Sequence, residues 1–239
     1  MADYLAGLEA RLADVEPGDC LFPCEDTVVY LTGVSSVQTR AAGRRNLGVL
    51  AQPGNSVHLD HRYLFGADNG CFAKGDRFDL DGWLRWVEAL CTPEMLQRLL
   101  FVAAPDVVGD PVATIARCER VLPIIQKLGA PAAFVGQDGL EDLEVPWDRF
   151  DVLFIGGSTE WKLSQAAADL VGEAVTRGKW AHVGRVNSWK RLARCREMGA
   201  DSVDGTYLGF GPAKNFPKLT GWLDRLEREA STPRLRLVA

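Results

Sequence analysis

Histidine is scarce in this chain of 239 residues: His58, His61 and His182 are all it has. The six cysteines, Cys20, Cys24, Cys71, Cys91, Cys118 and Cys195, are scattered, and only the first two lie close together. That stock excludes the tight Cys/His spacing of a zinc finger. A site built on Cys20 and Cys24 with distant ligands stays open, but free buried thiols are the expected state, and His58 and His61 read as loop residues. Long apolar runs are also missing, so no segment reads as a membrane span. The start, Met1-Ala2-Asp3-Tyr4-Leu5, lacks the basic and then apolar order of a secretory leader. These absences predict a cytoplasmic protein without a membrane partner. There is no internal repeat, low-complexity tract or interdomain linker, which predicts one domain over 1–239.

Positive charge is in deficit too, with 27 Lys and Arg against 32 Asp and Glu, a net charge of -5 and a pI near 5.3. That argues against sequence-blind coating of nucleic acid. It leaves room for a local basic face: Arg177, Lys179, Arg185, Lys190, Arg191, Arg194 and Arg196 crowd one segment. An exposed helix face would look similar.

What is present is enough for a large core. The chain is 47% hydrophobic and 25% charged, with a mean hydropathy of -0.06, values of an ordinary globular domain. Short apolar runs alternate with helical stretches, the pattern of a parallel sheet covered by helices. Predicted strands are Thr27–Leu31, Leu47–Ala51, Tyr63–Ala67, Leu99–Ala104, Ala132–Gly136, Val152–Ile155, Trp180–Val183 and Ser202–Val203 with its neighbours. Predicted helices cover 2–13, Asp81–Cys91, Pro111–Leu128, Glu160–Arg177, Ser188–Met198 and Lys218–Ala230, several of them stopped by a following glycine. A tail at 231–239 is expected to be partly disordered. Strands in this number and spacing suit the α/β class as a single (β/α)8 TIM barrel, with an open doubly wound sheet as the runner-up.

In a barrel the chemistry collects where strands end. Those positions hold Asp68-Asn69-Gly70, Pro105-Asp106, Gly136-Gln137-Asp138, Gly156-Gly157-Ser158, Gly184-Arg185-Val186-Asn187 and Asp204-Gly205. Each alone reads as a turn, because Asp, Asn and Gly are ordinary loop residues. Six consecutive polar ends read as a site. Asp204, followed at once by Gly205, is the first residue to mutate, and Asp201 reads as an entry-loop carboxylate.

Two carboxylates facing each other across a barrel mouth suit chemistry at an anomeric carbon, one attacking and one moving protons. Gly156, Gly157 and Ser158 at a helix start offer backbone N–H groups to a carbonyl or phosphate oxygen. Gln137 can donate and accept, and Asp106 accepts from amino groups, so together they suit the edge of a guanine-like base. Phe72 is placed to stack on that base or to pack in the core.

These residues, taken in order, resemble the tRNA-guanine transglycosylases, and especially their small phage relatives that insert 7-deazaguanines into DNA. Asp68-Asn69-Gly70-Cys71-Phe72 resembles the family's Asp-Ser-Gly-Gly-Phe/Tyr segment, whose Asp is the general acid/base and whose aromatic stacks on the base. Pro105-Asp106 lies where the family reads the base. Val135-Gly136-Gln137 is similar to its Val-Gln-Gly, and Ile155-Gly156-Gly157 to the glycine pair whose following amides hold the base carbonyl. Ala200-Asp201-Ser202-Val203-Asp204 resembles its Ile-Asp-Met-Phe-Asp, whose last Asp is the nucleophile. The tRNA enzymes also carry a Cys-x-Cys-x-x-Cys and a His after that strand, forming a structural zinc site. Here no Cys or His follows Cys195, so the zinc subdomain is not expected and DNA is favoured over tRNA.

The resemblance implies a ping-pong exchange on DNA. Asp204 attacks C1′ of a flipped-out or single-stranded deoxyguanosine, and Asp68 takes a proton from the incoming free 7-deazaguanine, a base of the preQ0 type. It implies no metal and no cofactor. Lys162, Arg185, Lys190 and Arg191 are candidates for the flanking phosphates, or are solvated surface charge. Three other readings stay open: tRNA as polymer, hydrolytic N-glycosidase chemistry, and a catalytically idle nucleic-acid-binding barrel. The oligomeric state is open.

Overall fold

Runs such as Ala132–Gly136 and Val152–Ile155 have no polar face to turn to water, so each must be covered on both sides. In the computed structural model, which describes residues 4–16, 27–33, 43–54 and 63–230, they are strands of a closed barrel. The strands are β1 (Val29–Gly33), β2 (Leu47–Ala51), β3 (Phe65–Ala67), β4 (Leu99–Ala103), β5 (Ala132–Gly136), β6 (Val152–Ile155), β7 (Trp180–Val183) and β8 (Ser202–Gly205). All eight are parallel, in sequence order, and β8 closes on β1 with Asp204 opposite Leu31. That pairing excludes the open doubly wound sheet.

Side chains alternate across the strands and separate into two cores. Val29, Leu31, Phe101, Ala103, Ala133, Val135, Phe154 and Trp180 pack together inside the barrel. Tyr30, Val49, Phe65, Val102, Phe134, Leu153, Val183 and Val203 pack outward against the helices.

The helical layer consists of α1 (Tyr4–Arg11), α2 (Cys71–Lys74), α3 (Leu80–Leu90), α4 (Pro93–Leu96), α5 (Pro111–Cys118), α6 (Val121–Lys127), α7 (Thr159–Lys162), α8 (Gln165–Thr176), α9 (Trp189–Met198) and α10 (Pro212–Ala230). Two predicted helices are each broken in two. The helix expected over 111–128 divides into α5 and α6, because Pro123 has no N–H to give the carbonyl of Glu119. The one expected over 160–177 divides at Leu163, after which Ser164 starts a second helix by accepting from the Ala167 N–H. Conversely α10 begins before Lys218, at Pro212, and carries Pro217 within it because Leu219, Leu223 and Leu226 bury the helix on the barrel.

Cys71, Cys118 and Cys195 are buried free thiols and Cys91 is a half-buried one. Cys20, Cys24, His58, His61 and the tail 231–239 lie outside the described residues. Among the described residues no helix is long and apolar enough to cross a membrane.

Candidate active site

At the carboxyl ends of the strands the inward rows open into a cleft of about 470 Å³ lined by Gln52, Asp68, Asn69, Phe72, Asp106, Gln137, Gly156, Gly157, Arg185 and Asp204, among others. The predicted catalytic pair and the predicted base-reading pair therefore share one cavity.

Asp204 is 7% exposed, so the cleft is its route to solvent. Its Oδ1 accepts from the Arg185 backbone N–H at 3.1 Å. Its Oδ2 lies 3.1 Å from Nε2 of His182, which stands fully buried on the neighbouring strand. Two glycines make this geometry possible. A Cβ on Gly184 would come within 3.2 Å of Asp204 Oδ2 and 2.8 Å of the Phe154 ring, and a Cβ on Gly205 would fall 2.1 Å from the Tyr30 hydroxyl. Tyr30 spends that hydroxyl on the carbonyl of Val186 at 2.9 Å, tying β1 to the loop after β7.

Arg185 has a φ of 59°, and among the described residues it is the one non-glycine with positive φ. Such a conformation costs roughly 1–3 kcal/mol and persists where its surroundings over-determine it. Here three contacts hold the turn. Lys162 Nζ donates to the Gly184 carbonyl at 2.8 Å, the Arg185 N–H donates to Asp204, and the Arg185 guanidinium donates to the Gly157 carbonyl. The same guanidinium lies over the exposed Phe72 ring, 4.8 Å from its centroid.

Asp68 sits across the cleft, half-buried, and accepts from Gln52 Nε2 at 2.5 Å. Burial, with the charge of Asp204 added, raises its pKa to about 6, and the Gln52 bond opposes that rise only in part. Asp68 thus titrates near neutrality, where a proton-transfer group is most effective. Asp106 is buried in a ring of amides: Asn69 Nδ2 donates to Oδ1 at 3.0 Å and Gln137 Nε2 to Oδ2 at 2.7 Å. Burial raises its pKa as well, against the Asn69 bond and the charges of Arg117 and Arg185. Gln137 Oε1 is held by the Gly109 N–H at 3.0 Å. The second amide proton of Gln137 and the remaining lone pairs of Asp106 stay free for a ligand with donors and acceptors on one edge.

Three expectations need correction. Lys162 is no surface cation: it is 1% exposed, bonded to Gly184, and its pKa falls to about 8 through burial and the neighbouring Arg185. A side chain so enclosed holds the turn, not a phosphate. Ser158 does not offer its amide to the cleft, because its N–H donates to Asp138 Oδ2 at 2.7 Å and its hydroxyl caps α7 at Trp161. Gly156 and Gly157 do line the cleft, but the Gly156 N–H is also spent, on the Gly136 carbonyl at 2.9 Å in the pairing of β5 and β6. Asp201 lies at the opposite end of β8 from the cleft and accepts from the Ala181 N–H at 2.7 Å, a strand-pairing role instead of an entry-loop one. Of the basic segment, Arg177 pairs with Glu173, Arg196 with Glu229, and Arg194 bonds the carbonyl of Leu163. Lys190 and Arg191 open α9 just beyond the Arg185 turn and have no carboxylate partner among the described residues.

Three contributors were not foreseen, His182, Gln52 and the supporting Tyr30, while Asn69 was expected only as part of the polar end of β3. His182 carried one available signal. It stands two residues before Gly184 on a predicted strand, and so on the same face as the cleft. Among the described residues no cluster of three or more His, Cys, Asp or Glu is placed to hold a metal ion.

No family model and no curated protein matches the chain. Solved structures similar to it include a mutant tryptophan synthase alpha-subunit from Pyrococcus furiosus, at 16% identity and a TM-score of 0.43 over 69% of this chain and 66% of that one. Just under two thirds of that subunit's length is therefore spanned. A tryptophan synthase complex from Pyrococcus furiosus matches at 12% identity and a TM-score of 0.42, over 85% of this chain and 95% of that one.

Proposed function

We propose that this protein is a glycosyl-transferring enzyme, a DNA-guanine transglycosylase that exchanges guanine in DNA for a 7-deazaguanine base. The observation that carries the reading is the placing of Asp204 in one cleft with Asp68 and Asp106, each in a different environment. Asp204 accepts from the Arg185 N–H on one oxygen and meets His182 Nε2 with the other. Asp68 titrates near neutrality. Asp106 keeps acceptor capacity beside two amides.

In the proposed reaction an Asp204 oxygen attacks C1′ of a deoxyguanosine and the C1′–N9 bond breaks. Guanine departs with a proton supplied by protonated Asp68, leaving a deoxyribosyl ester on Asp204. A 7-deazaguanine then enters, its N9 proton passes to Asp68, and N9 displaces Asp204 from C1′. The proton count closes over the cycle, and Asp68 ends as it began. Asp106 and Gln137 read the amide edge of the base, Phe72 stacks on its face, and Gly157 lies at its carbonyl side. The target must be flipped out or single-stranded, and Arg185, Lys190 and Arg191 meet the flanking phosphates.

Incubating the protein with DNA and labelled guanine or 7-cyano-7-deazaguanine tests the reading. Label should enter DNA with wild type and not with Asp204→Ala, and the proposal fails if neither protein incorporates it or both do. Label entering tRNA instead would change the polymer. Guanine release without an added acceptor would make the enzyme a hydrolytic N-glycosidase. Normal DNA binding by Asp204→Asn beside an inert wild type would leave a binding barrel.

A further inference from the structure

Strands β7 and β8 carry a polar thread through the apolar barrel core. Trp180 Nε1 donates to Ser202 Oγ at 2.7 Å. Ser202 Oγ lies 2.8 Å from His182 Nδ1, and His182 Nε2 lies 3.1 Å from Asp204 Oδ2. The register seats His182 opposite Ser202, so the contact is built into the strand pairing. His182 and Ser202 are both 0% exposed, so water does not compete for these bonds.

For a neutral ring the donors and acceptors allow one consistent assignment. An indole N–H only donates, so Ser202 Oγ accepts from Trp180 and has one proton to give. His182 Nδ1 is positioned to receive it. A neutral imidazole that accepts at Nδ1 carries its proton on Nε2, the nitrogen that faces Asp204. The other tautomer would set a bare nitrogen against a carboxylate oxygen inside the barrel, two acceptors with nothing between them. The rings of Phe101 and Phe154, with centroids 4.7 Å and 4.4 Å from that of His182, wedge the imidazole in place.

We propose that the Trp180–Ser202 pair locks His182 as a neutral Nε2–H donor, making His182 the positioning residue that aims Asp204 at its substrate. The inference rests on Asp204 being the nucleophile of the proposed exchange. Arg185 holds Oδ1 and His182 holds Oδ2, so the carboxylate cannot rotate away, and a neutral donor orients it without cancelling its charge. Burial keeps His182 below the usual histidine pKa, opposed by the bond to Asp204. The ionisable groups acting on it are Asp204 from β8 and Lys162 from α7.

Long-range ¹⁵N–¹H correlation on the wild-type protein tests the tautomer without any turnover. His182 should appear as neutral Nε2–H near neutral pH, and Ser202→Ala, which removes the donor to Nδ1, should shift the Nδ1 resonance. An imidazolium, or Nδ1–H in the wild type, overturns the inference. In the exchange assay, His182→Phe, which keeps the packing but not the donor, should lose about 10²–10³-fold in kcat, with KM for DNA nearly unchanged. His182→Gln, which can still donate to Asp204, should recover much of the loss. A folded His182→Phe with wild-type kcat overturns the inference equally. A wild type that exchanges no base defeats the functional reading, while the tautomer measurement still decides the lock.

Discussion

The guanidinium of Arg185 lies on the ring of Phe72, 4.8 Å from its centroid, and this contact spans the cleft from the loop after β7 to α2, the short helix that follows β3. The face on which a base would stack is therefore already occupied by a planar cation. A base that stacks on that face would have to displace Arg185, and a DNA phosphate is the partner that would draw it away. Arg185→Ala should therefore bind free 7-deazaguanine more tightly than wild type and DNA more weakly. Phe72→Ala should lose about 1–3 kcal/mol of base binding. Calorimetric titration of each ligand into each variant checks both, and weaker base binding by Arg185→Ala would show that the guanidinium supports the base instead of standing in for it.

Lys162 and Lys190 are both cations near this turn, but burial separates them. Lys190→Ala and Arg191→Ala should each flatten the salt dependence of DNA binding by roughly 0.7–0.9 in the log–log slope, the share of one phosphate contact. Lys162→Met should leave that slope unchanged. It should instead lower stability by about 1–3 kcal/mol, because it strands the buried Gly184 carbonyl that Lys162 Nζ now satisfies. Filter binding across a salt series, beside denaturant melts, separates the two behaviours.

What was readable in the sequence follows from the same physics. The strands β5, β6 and β7 keep their predicted bounds, because a strand buried on both faces is an unbroken apolar run with loop residues at each end. The polar strand ends were legible for the same reason, and Asp68, Asp106, Gln137 and Asp204 do meet in one cleft. Lys162 was misread because Thr159-Glu160-Trp161-Lys162 looks like an exposed helix start, and nothing local shows that the next strand's Gly184 carbonyl lies beside it. Ser158 was misread because the carboxylate that takes its N–H comes from Asp138, on the loop after β5. His182 stayed hidden inside Trp180-Ala181-His182-Val183, where its spacing from Gly184 is the one local hint of its face and its partners Ser202 and Asp204 come only with the neighbouring strand.

The two halves of the proposed exchange should respond oppositely to pH. Guanine release needs Asp68 protonated, and capture of the incoming base needs it ionised. With its pKa raised to about 6, single-turnover release should slow above that pH, and capture from a preformed intermediate should slow below it. Rapid-quench measurements of each half-reaction from pH 5 to 8, roughly a unit or two either side of the midpoint, check this. Parallel profiles for the two halves would remove Asp68 from proton transfer.

The same group makes the fold pH-sensitive in a direction opposite to that of a salt-bridged carboxylate. Burial and the charge of Asp204 raise Asp68 from its ordinary 3.8 to about 6, so between those values the folded protein holds a proton that the unfolded chain has released. Stability therefore falls as pH rises through that window, and the cost of the ionised carboxylate is fully present above about 6. Asp68→Asn removes the charge while keeping an oxygen for Gln52 to donate to. It should be more stable than wild type at pH 8 by up to about 2–3 kcal/mol, less whatever solvent screens at the open side of the cleft. The advantage should shrink on acidification, be small by pH 4 and vanish below the ordinary value of 3.8, where the group is neutral in the folded and the unfolded chain. Urea denaturation of both proteins at pH 4, 6 and 8 measures the difference directly. An advantage that stayed constant across the series would have to come from packing, and Asp68 would then contribute no charge strain to the site.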